Sequence, residues 1–565
     1  MSREGLASTA VQALASCGSW GSHPQNEERD MLAVARDRGL RFEPYWLDLP
    51  LERLDSLELE EKPVAVPMLI PYEVMHAVWE YSREQFHASF LPANAGEGCL
   101  QFWQRALQLP WGQRHAGLSG KAPAELERTI PILYHVDGAE LHRNNEHYIW
   151  SFQSLFGSGD VWEFKFLMAS IPHARMRLPS TKKAVFARLT KFIAWAQKPW
   201  QSGVAPALDL DGRELRRALP PGAQLAGGWT AAFAGLKNDG KARKEIHGFK
   251  RFYGSMYCCD SCLAVQRYKR APVPLFYGDF GEDAAYVATA ISHEDYMAAE
   301  AEVSPWANVD GWRLELNYWD LLHVLFLGNS RDANASCIVE FMEHGLLAGT
   351  KQEQMDWLSK DFARWCRRER ISCSRAAFSL ASLGRESQSQ YPELASWYKG
   401  MTVKTMCFWL AEKARELDDG SLHSNFRATC MWAMAEFLHT VDGGGVWLDD
   451  ADVLRARRAG RLYLQCYQWL AVQTEEQGQC LWASKPKMHY FDHVVRSLHI
   501  GVNPKFVQCD ADETFMNTCK RIGSRCHGKS VTLRLLQRYS LGVCLRFAER
   551  RQRGRWSLQS SRPLE

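Results

Sequence analysis

Three apolar runs, a helix and a fourth apolar run constrain the fold of this sequence more than any other feature. Residues 129–141, "TIPILYHVDGAEL", are β-branched and apolar, and "EHYIWSFQSLF" follows with Tyr148, Trp150 and Phe152 in alternation. A turn at 157–160, "GSGD", leads into "VWEFKFLMASI", which has the same alternation. The sequence therefore predicts three successive antiparallel strands.

A helix and a further strand come next. "PSTKKAVFARLTKFIAWAQ" has apolar residues three and four positions apart, and Ser180 or Thr181 can cap its beginning. "GWTAAFAGLKND", residues 228–239, is the fourth strand. Because parallel neighbours need such a crossover, we expect this strand to lie parallel to the first and beside it.

This order brings two aspartates together, Asp137 in the first strand and Asp239 at the end of the fourth. Paired carboxylates repel each other, so a fold keeps them mainly when a divalent cation lies between them. Hard oxygen ligands suit Mg²⁺ or Mn²⁺. The alternative is that each is a turn residue, since both precede a glycine.

Three downstream motifs follow in order. "MYCCDSC" contains Cys258, Cys259 and Cys262, "NYWDLLHVL" contains Asp320 and His323, and "CDADETFMNTCKRIGSRC" contains Glu513. On a helix beginning near 511, Glu513 lies on a different face from the apolar stripe, so it can meet the acids of the sheet. Asp510 and Asp512 stand beside it, and the sequence leaves open whether either replaces it.

With these motifs the chain resembles the CACTA (En/Spm-like) group of DDE transposases over about residues 130–547. The resemblance implies an α/β fold with a ribonuclease-H-like mixed sheet, made of three antiparallel strands, a helix and a parallel strand. The implied domains are a mostly helical N-terminal region (1–125), the first part of the catalytic core (126–262), a mainly helical insertion (263–500), C-terminal helices that complete the core (501–547) and a basic flexible tail (548–565).

The resemblance also implies an enzyme. Asp137, Asp239 and Glu513 would hold two Mg²⁺ or Mn²⁺ ions for cutting and joining DNA phosphodiesters. The partner would be double-stranded DNA, both the transposon ends and the target. Lys520, Arg521 and Arg525 would hold this DNA through its phosphates. The protein would be located in the nucleus and could be a homo-oligomer. Two alternatives stay open: a domesticated or inactive DNA-binding scaffold, and a nuclease of the same fold that does not join.

The cysteine cluster predicts a structural zinc site, since Cys-x-x-Cys presents two thiolates to one ion. Cys258, Cys259 and Cys262 need a distant partner, for which His323 is the first candidate and His293 and His247 are others. Buried core thiols are the alternative, and Asp320 could equally bond His323 in a core. The pair His489 and His493, four residues apart, is interpreted as structural and is left out of the site.

Composition excludes several protein classes. The chain has 565 residues, 46% hydrophobic and 24% charged, which is ordinary for a soluble globular protein. A net charge of only +3 argues against a histone-like binder of nucleic acid. Sixteen cysteines without regular spacing do not form a secreted disulfide framework, and no apolar stretch is long enough to span a membrane. We therefore expect a soluble, intracellular protein.

Overall fold

The computed structural model describes residues 40–560, apart from residues 41, 142–144, 252, 267–274, 300–302 and 374–376 and the side chains of 551–560. Elements are numbered in chain order within this described part. The strands are β1 (Tyr45–Leu49), β2 (Val64–Met68), β3 (Thr129–Glu140), β4 (Glu146–Ser154), β5 (Lys165–Pro172), β6 (Thr230–Asn238) and β7 (Asn317–Trp319).

The helices fall into three stretches of the chain. Those before β6 are α1 (Pro71–Tyr81), α2 (Arg83–Phe90), α3 (Gly96–Leu107), α4 (Pro110–Gln113), α5 (Pro123–Leu126), α6 (Val161–Phe164) and α7 (Pro179–Ser202). The middle ones are α8 (Gly240–Glu245), α9 (His293–Ala299), α10 (Ser330–Glu343), α11 (Lys351–Arg368), α12 (Gly400–Glu416), α13 (Leu422–Gly443) and α14 (Asp450–Glu476). The last are α15 (Pro486–Ser497), α16 (Pro504–Val507), α17 (Asp510–Gly523) and α18 (Val531–Ser560).

The chain divides into two compact units. The first, here called the sheet unit, comprises the described residues within 1–248, 301–317 and 511–565, and the second, the helical unit, comprises those within 249–300 and 318–510. The helical unit contains most of the predicted insertion. The division differs from the predicted domains in that 301–317 belong to the sheet unit and that no boundary falls near 125.

The five-stranded sheet is mixed, with the order β5-β4-β3-β6-β7. Strand β3 pairs antiparallel with β4, and β4 pairs antiparallel with β5. Strand β6 pairs parallel with β3 after the crossover through α7. The predicted α/β class and this strand order are therefore confirmed, although part of the turn between β3 and β4, residues 142–144, lies outside the described residues.

Two local predictions differ from the structure. The predicted third strand begins at 161, but Val161–Phe164 form the short helix α6 and β5 starts at Lys165. Asp160 caps α6 and forms a capping box with Glu163, which favours a helical turn over the strand pattern. In the N-terminal region, expected to be mostly helical, β1 and β2 form a separate antiparallel pair beside α1–α5.

An aromatic core holds α7 and the sheet together. The predicted stripe of α7, namely Val185, Phe186, Leu189, Phe192 and Ile193, is buried. The Phe186 ring meets Tyr148 of β4 edge to face at 5.3 Å between centroids. Trp306 stacks on Trp150 and contacts the ring of Tyr134. Burying such side chains contributes about 1.5–3 kcal/mol each, which fixes the crossover that makes β3 and β6 neighbours.

The helical unit has its own continuous apolar core, formed mainly by α10–α15. In this core the helices predicted for the insertion are observed. The fifteen described cysteines are not in disulfide bonds, and most of them are buried. Within the described residues, no helix combines the length and the apolar character needed to cross a bilayer.

Candidate functional site

The first candidate site lies in the sheet unit, where the parallel pairing of β3 with β6 ends. His135 pairs with Lys237 as the last residues in the parallel register. Asp137 and Asp239 each lie two residues beyond, and Asp239 keeps an extended backbone at φ −81° and ψ 175°. Because side chains alternate along extended chains, the two acids belong to the same face of the sheet as His135 and Lys237.

Both acids also have local hydrogen bonds of the kind expected for turn residues. Asp239 is the N-cap of α8, and its Oδ1 accepts a hydrogen bond from the backbone N–H of Ala242 at 2.7 Å. Asp137 Oδ1 accepts one from the N–H of Gly138 at 2.6 Å. These bonds orient the two carboxylates, and a carboxylate can accept further partners.

Helix α17 packs against this same face through Asp512, which is fully buried. Asp512 Oδ2 lies 2.5 Å from Nζ of Lys237, and Oδ1 lies 3.4 Å from Nδ1 of His135 and also contacts Nζ of Lys165. These partners belong to β6, β3 and β5. Asp512 is therefore an acid of α17 that contacts three strands of the sheet.

The charges around Asp512 keep it ionised. Burial by itself raises the pKa of Asp512. His135, Lys165 and Lys237 together lower it by more than burial raises it, so the pKa lies well below its usual range. Gln153 accepts hydrogen bonds from both lysines, at 2.7 Å from Lys165 and 3.4 Å from Lys237. Asp512 is accordingly an ion-paired carboxylate inside the sheet unit.

Glu513 is partly buried and follows Asp512 on α17. At the other end of the helix, a Cβ on Gly523 would lie 2.9 Å from the Leu141 side chain, so α17 approaches the chain closely just past β3. The helix thus contacts β3 near His135 and the segment after β3 at Leu141. The acids of β3 and β6 lie on the face that it covers.

The predicted triad can be compared with this arrangement. Among the described residues, Asp137, Asp239 and Glu513 do not form one group whose ligand atoms all lie within 4.8 Å of one another. Two ions about 3.5–4 Å apart can be shared by carboxylates that are further apart than this. The role of the three acids as metal ligands stays a prediction.

Two of the three predicted DNA-contacting residues lie on the same helix. Lys520 is partly buried and Arg521 is exposed, both in the last turn of α17. Arg525 is exposed and lies just beyond the helix, which ends at Gly523. Glycine is a poor helix former, and here it permits the close approach to Leu141.

The second candidate site lies in the helical unit and contains two cysteines and two histidines. The Sγ atom of Cys259 is 3.2 Å from Nε2 of His493, and Sγ of Cys262 is 3.2 Å from Nε2 of His489. The two Nε2 atoms are 3.1 Å apart, and all four ligand atoms lie within 4.8 Å of one another. These residues could hold a metal ion.

Local backbone geometry turns the two thiols toward the histidines. The N–H groups of Ser261 and Ala264 donate to the sulfurs of Cys259 and Cys262, at 3.3 and 3.4 Å. The backbone N–H of Cys258 donates to the carbonyl of Ala264 at 3.0 Å and closes the loop. The two histidines are one turn apart on α15, so they present their rings on one face.

Contacts around the cluster hold α15 against the cysteine loop. The hydroxyl of Tyr490 donates to the carbonyl of Cys258 at 2.6 Å, and the Tyr286 ring lies edge to face with His489 at 4.5 Å between centroids. Tyr286 in turn donates to Asp492 Oδ2 at 2.8 Å. Supporting contacts of this kind orient metal ligands in proteins.

Electrostatics indicate why a cation would be favourable here. Burial raises the pKa of the Cys259 thiol and lowers the pKa of His489, so neither group is charged easily by itself. Burial lowers the pKa of His493, but Cys259, Asp492 and Asp260 together raise it above its ordinary value. A bound metal ion would stabilise the thiolates that this environment otherwise disfavours.

Only part of the predicted zinc set is in this group. Cys259 and Cys262 are members, whereas the Cys258 thiol contacts the carbonyl of Ala264 at 3.6 Å. Nδ1 of His323 lies 2.5 Å from Asp320, whose carboxylate also accepts backbone N–H groups at the start of the following helical turn. His323 is therefore engaged in a local cap, the alternative that the sequence leaves open for it.

Two further candidates and the histidine pair have different positions from those expected. His293 begins α9, and His247 is buried in the sheet unit against Trp306; neither is in the group. His489 and His493, interpreted as structural from sequence, complete it. Their four-residue spacing on a helix is the signal that could have identified them.

A comparison of the chain with protein-family models and with curated proteins finds no match.

Proposed function

We propose that the protein is a transposase-like polynucleotidyl transferase with a ribonuclease-H-like core that cuts and joins double-stranded DNA. One observation carries the proposal: Asp137 and Asp239 stand two residues beyond the last paired residues of two parallel neighbouring strands, on the face that α17 covers. Carboxylates from two neighbouring strands and a helix beside them can together hold the two ions of two-metal phosphoryl transfer.

The donor set fits divalent ions of the hard type. Asp137, Asp239 and Glu513 offer carboxylate oxygens, which suit Mg²⁺ or Mn²⁺. When bound, two such ions supply activation of a nucleophile and stabilisation of the leaving oxygen. The chain's own contribution is to fix the carboxylates: the hydrogen bond from Ala242 orients Asp239, and the ion pairs of Asp512 fix the start of α17.

Asp239→Asn tests this role. Asparagine caps helices as well as aspartate does, so the variant keeps the α8 cap and loses only the charge and one acceptor oxygen. We expect Mg²⁺-dependent cleavage of a DNA duplex to fall by at least about a hundredfold, with thermal stability unchanged. The matched control is Asp160→Asn, which removes the charge from another N-cap of the sheet unit, at α6. Equal activity of the two variants would contradict the proposal.

We propose further that the cluster of Cys259, Cys262, His489 and His493 holds zinc. Two thiolates and two imidazoles are the donor set of structural zinc sites, and ligand atoms around one such ion lie about 3.3–3.8 Å apart when the bonds are about 2.0–2.3 Å. The three nearest distances in the cluster, 3.1–3.2 Å, are close to this range. Zinc here would join the loop after α8 to α15, and so act on folding of the helical unit.

Double-stranded DNA as partner and the nucleus as location belong to the same proposal. Lys520, Arg521 and Arg525 are the first three cationic residues after Glu513 in the sequence, and they could contact the phosphate backbone. A second candidate function, a transposase-derived DNA-binding scaffold without turnover, is favoured by one observation. The acid of α17 that faces the sheet, Asp512, pairs with two lysines. If the unaltered protein binds DNA but does not cleave it, this second candidate function is favoured.

A further inference from the structure

A buried cluster of charges fixes α17 on the sheet. Lys165 is fully buried and Lys237 is 2% exposed, and each ammonium group contacts a different oxygen of Asp512. Gln153 accepts from both ammonium groups, so the cluster also links the two lysines to β4. The first turn of α17 is thus held from β4, β5 and β6 together.

Further contacts on Lys165 join the neighbouring helices to the cluster. Its Nζ lies 5.8 Å from the ring centroid of Phe515, one turn along α17. Its backbone carbonyl accepts a hydrogen bond from the Tyr539 hydroxyl of α18 at 2.6 Å. The Phe515 and Tyr539 rings meet edge to face at 5.7 Å. Movement of α17 along the sheet would break several of these contacts at once.

The charges make this position costly to leave. An unpaired ammonium group or carboxylate in a protein interior is strongly unfavourable, whereas the paired groups are tolerated. Displacing Asp512 would leave both buried lysines without their common carboxylate. The cluster is therefore suited to holding one position of the helix against alternatives, a role often assigned to buried polar groups.

We propose that Lys165 and Lys237, acting through Asp512, are positioning residues for Glu513. The inference rests on the proposed function, because it is the placement of Glu513 relative to Asp137 and Asp239 that the cluster would set. Each oxygen of Asp512 is already paired with a lysine, so we assign the role of metal ligand on α17 to Glu513. Glu513 is the next residue, about 100° further round the helix. Contacts that fix Asp512 on the sheet therefore also fix the position of Glu513.

The test measures Mn²⁺ binding to the full chain without DNA, by the electron paramagnetic resonance of free Mn²⁺, together with thermal unfolding. Lys237→Met and Lys165→Met remove one cation each at nearly constant volume. We expect Mn²⁺ affinity to fall about 10- to 100-fold in each, the range found when residues that support metal ligands are replaced. Lys237→Arg keeps a cation beside Asp512 and should recover most of the affinity.

A matched control separates positioning from stability. Lys413 forms an ion pair with Asp361 in the helical unit, 2.9 Å apart, in which the two side chains are 8% and 13% exposed. Lys413→Met should lower the unfolding temperature and leave Mn²⁺ affinity unchanged. If Lys237→Met and Lys165→Met lower stability but bind Mn²⁺ as tightly as the unaltered chain, the lysines are structural only and the inference is overturned.

The two proposals fail differently. If the unaltered chain and the Glu513→Gln variant bind Mn²⁺ equally weakly, the proposed metal chemistry fails and the positioning role fails with it. If Glu513→Gln weakens binding and the lysine variants do not, only the positioning role fails. Should Lys237→Met not fold, Lys165→Met and Lys237→Arg still report on the same cluster.

Discussion

Glu340 shows how much depends on a single buried charge in the helical unit. It is fully buried, and its carboxylate accepts hydrogen bonds from Nε1 of Trp482 at 2.6 Å, Nε2 of His423 at 2.9 Å and Nη1 of Arg427 at 3.3 Å. Arg427 is itself buried. Burial alone raises the pKa of Glu340, but His423, Arg427 and Trp482 lower it below its ordinary value.

Glu340→Gln should therefore destabilise the protein by about 3–5 kcal/mol at neutral pH, because Arg427 is left buried without its counter-charge. A carboxyl whose pKa is lowered on folding stabilises the protein above its ordinary pKa, 4.5, and the contribution is lost as the pH falls through the lower folded pKa. The unfolding free energy of the variant should thus decline less steeply below pH 4.5. Urea unfolding at several pH values measures both effects.

Glu412 offers the control for this prediction. It also accepts from a tryptophan and an arginine, Trp365 at 2.9 Å and Arg368 at 2.6 Å, but its side chain is 39% exposed. Water screens an exposed pair, so Glu412→Gln should cost far less than Glu340→Gln. Equal losses for the two variants would show that burial does not decide the energy of these networks.

At the same scale, sequence predicts residues better when their partners are local. Asp239 stands out because it ends an apolar strand, and its hydrogen bond to Ala242 is a local cap. Asp512 does not stand out from Asp510 and Glu513 in the sequence. Its ion-pair partners, Lys165 and Lys237, are far away in the chain. Periodicity distinguishes faces of a helix, but it does not identify which neighbouring acid meets a distant lysine.

At the scale of elements, most of the sheet follows from alternation and the crossover rule, and the exceptions have local causes. The pairing of β3 with β4 and β6 is as predicted. The strand expected from residue 161 is interrupted because Asp160 and Glu163 form a capping box that starts α6. Capping chemistry at a few positions thus outweighed an alternating apolar pattern.

The cluster of Cys259, Cys262, His489 and His493 shows the same contrast between features that are visible in the local sequence and contacts between distant residues. The Cys-x-x-Cys loop and the histidine pair of α15 are each visible in the sequence. That they meet depends on packing in the helical unit, where Tyr490 bonds the carbonyl of Cys258. Sequence spacing therefore predicted two of the four residues and not which histidines complete the set.

Replacing the ligands tests the zinc proposal directly. His489→Ala and Cys259→Ser should each abolish stoichiometric zinc, measured by elemental analysis of purified protein, and lower the unfolding temperature, because binding energy at a structural site contributes to folding. Cys258→Ser and His499→Ala are the controls, since Cys258 is adjacent to the cluster without belonging to it and His499 is exposed just beyond α15.

The outcomes separate zinc from core packing. If the unaltered protein contains no stoichiometric zinc, or if the two control variants lose it as readily as the ligand variants, the assignment of the site to Cys259, Cys262, His489 and His493 is wrong. Chelation of the unaltered protein should reproduce the loss of stability seen in His489→Ala. An unchanged unfolding temperature after chelation would also contradict the proposal.

At the scale of the whole molecule, the chain interrupts a sheet unit with a large helical unit and returns to the sheet through α17. A long interval between Asp239 and Glu513 already predicts an insertion, because the strands and the helix must belong to one core. The extent of the units does not follow from sequence. Residues 301–317 rejoin the sheet unit through packing such as that of Trp306 on Trp150 and Tyr134.

The proposed binding to DNA would involve the whole molecule, and its salt dependence tests the basic residues after Glu513. Each phosphate contact releases counterions, so log affinity falls with log salt concentration by about 0.9 for every contact. Replacing Lys520, Arg521 and Arg525 together by alanine should therefore flatten the slope by roughly 2 to 3 units. Because phosphate contacts carry little sequence information, affinity should fall about equally for transposon-end and random duplexes.

The control for this triple variant replaces Arg455, Arg457 and Arg458 of α14, where Arg455 already pairs with Glu436. We expect that control to leave the salt slope nearly unchanged, because these arginines belong to a helix of the helical unit and not to the chain that follows Glu513. An unchanged slope for the Lys520, Arg521 and Arg525 variant would mean that these residues are a solvated surface. A loss confined to one DNA sequence would mean that they read bases, because only contacts to base edges discriminate between sequences.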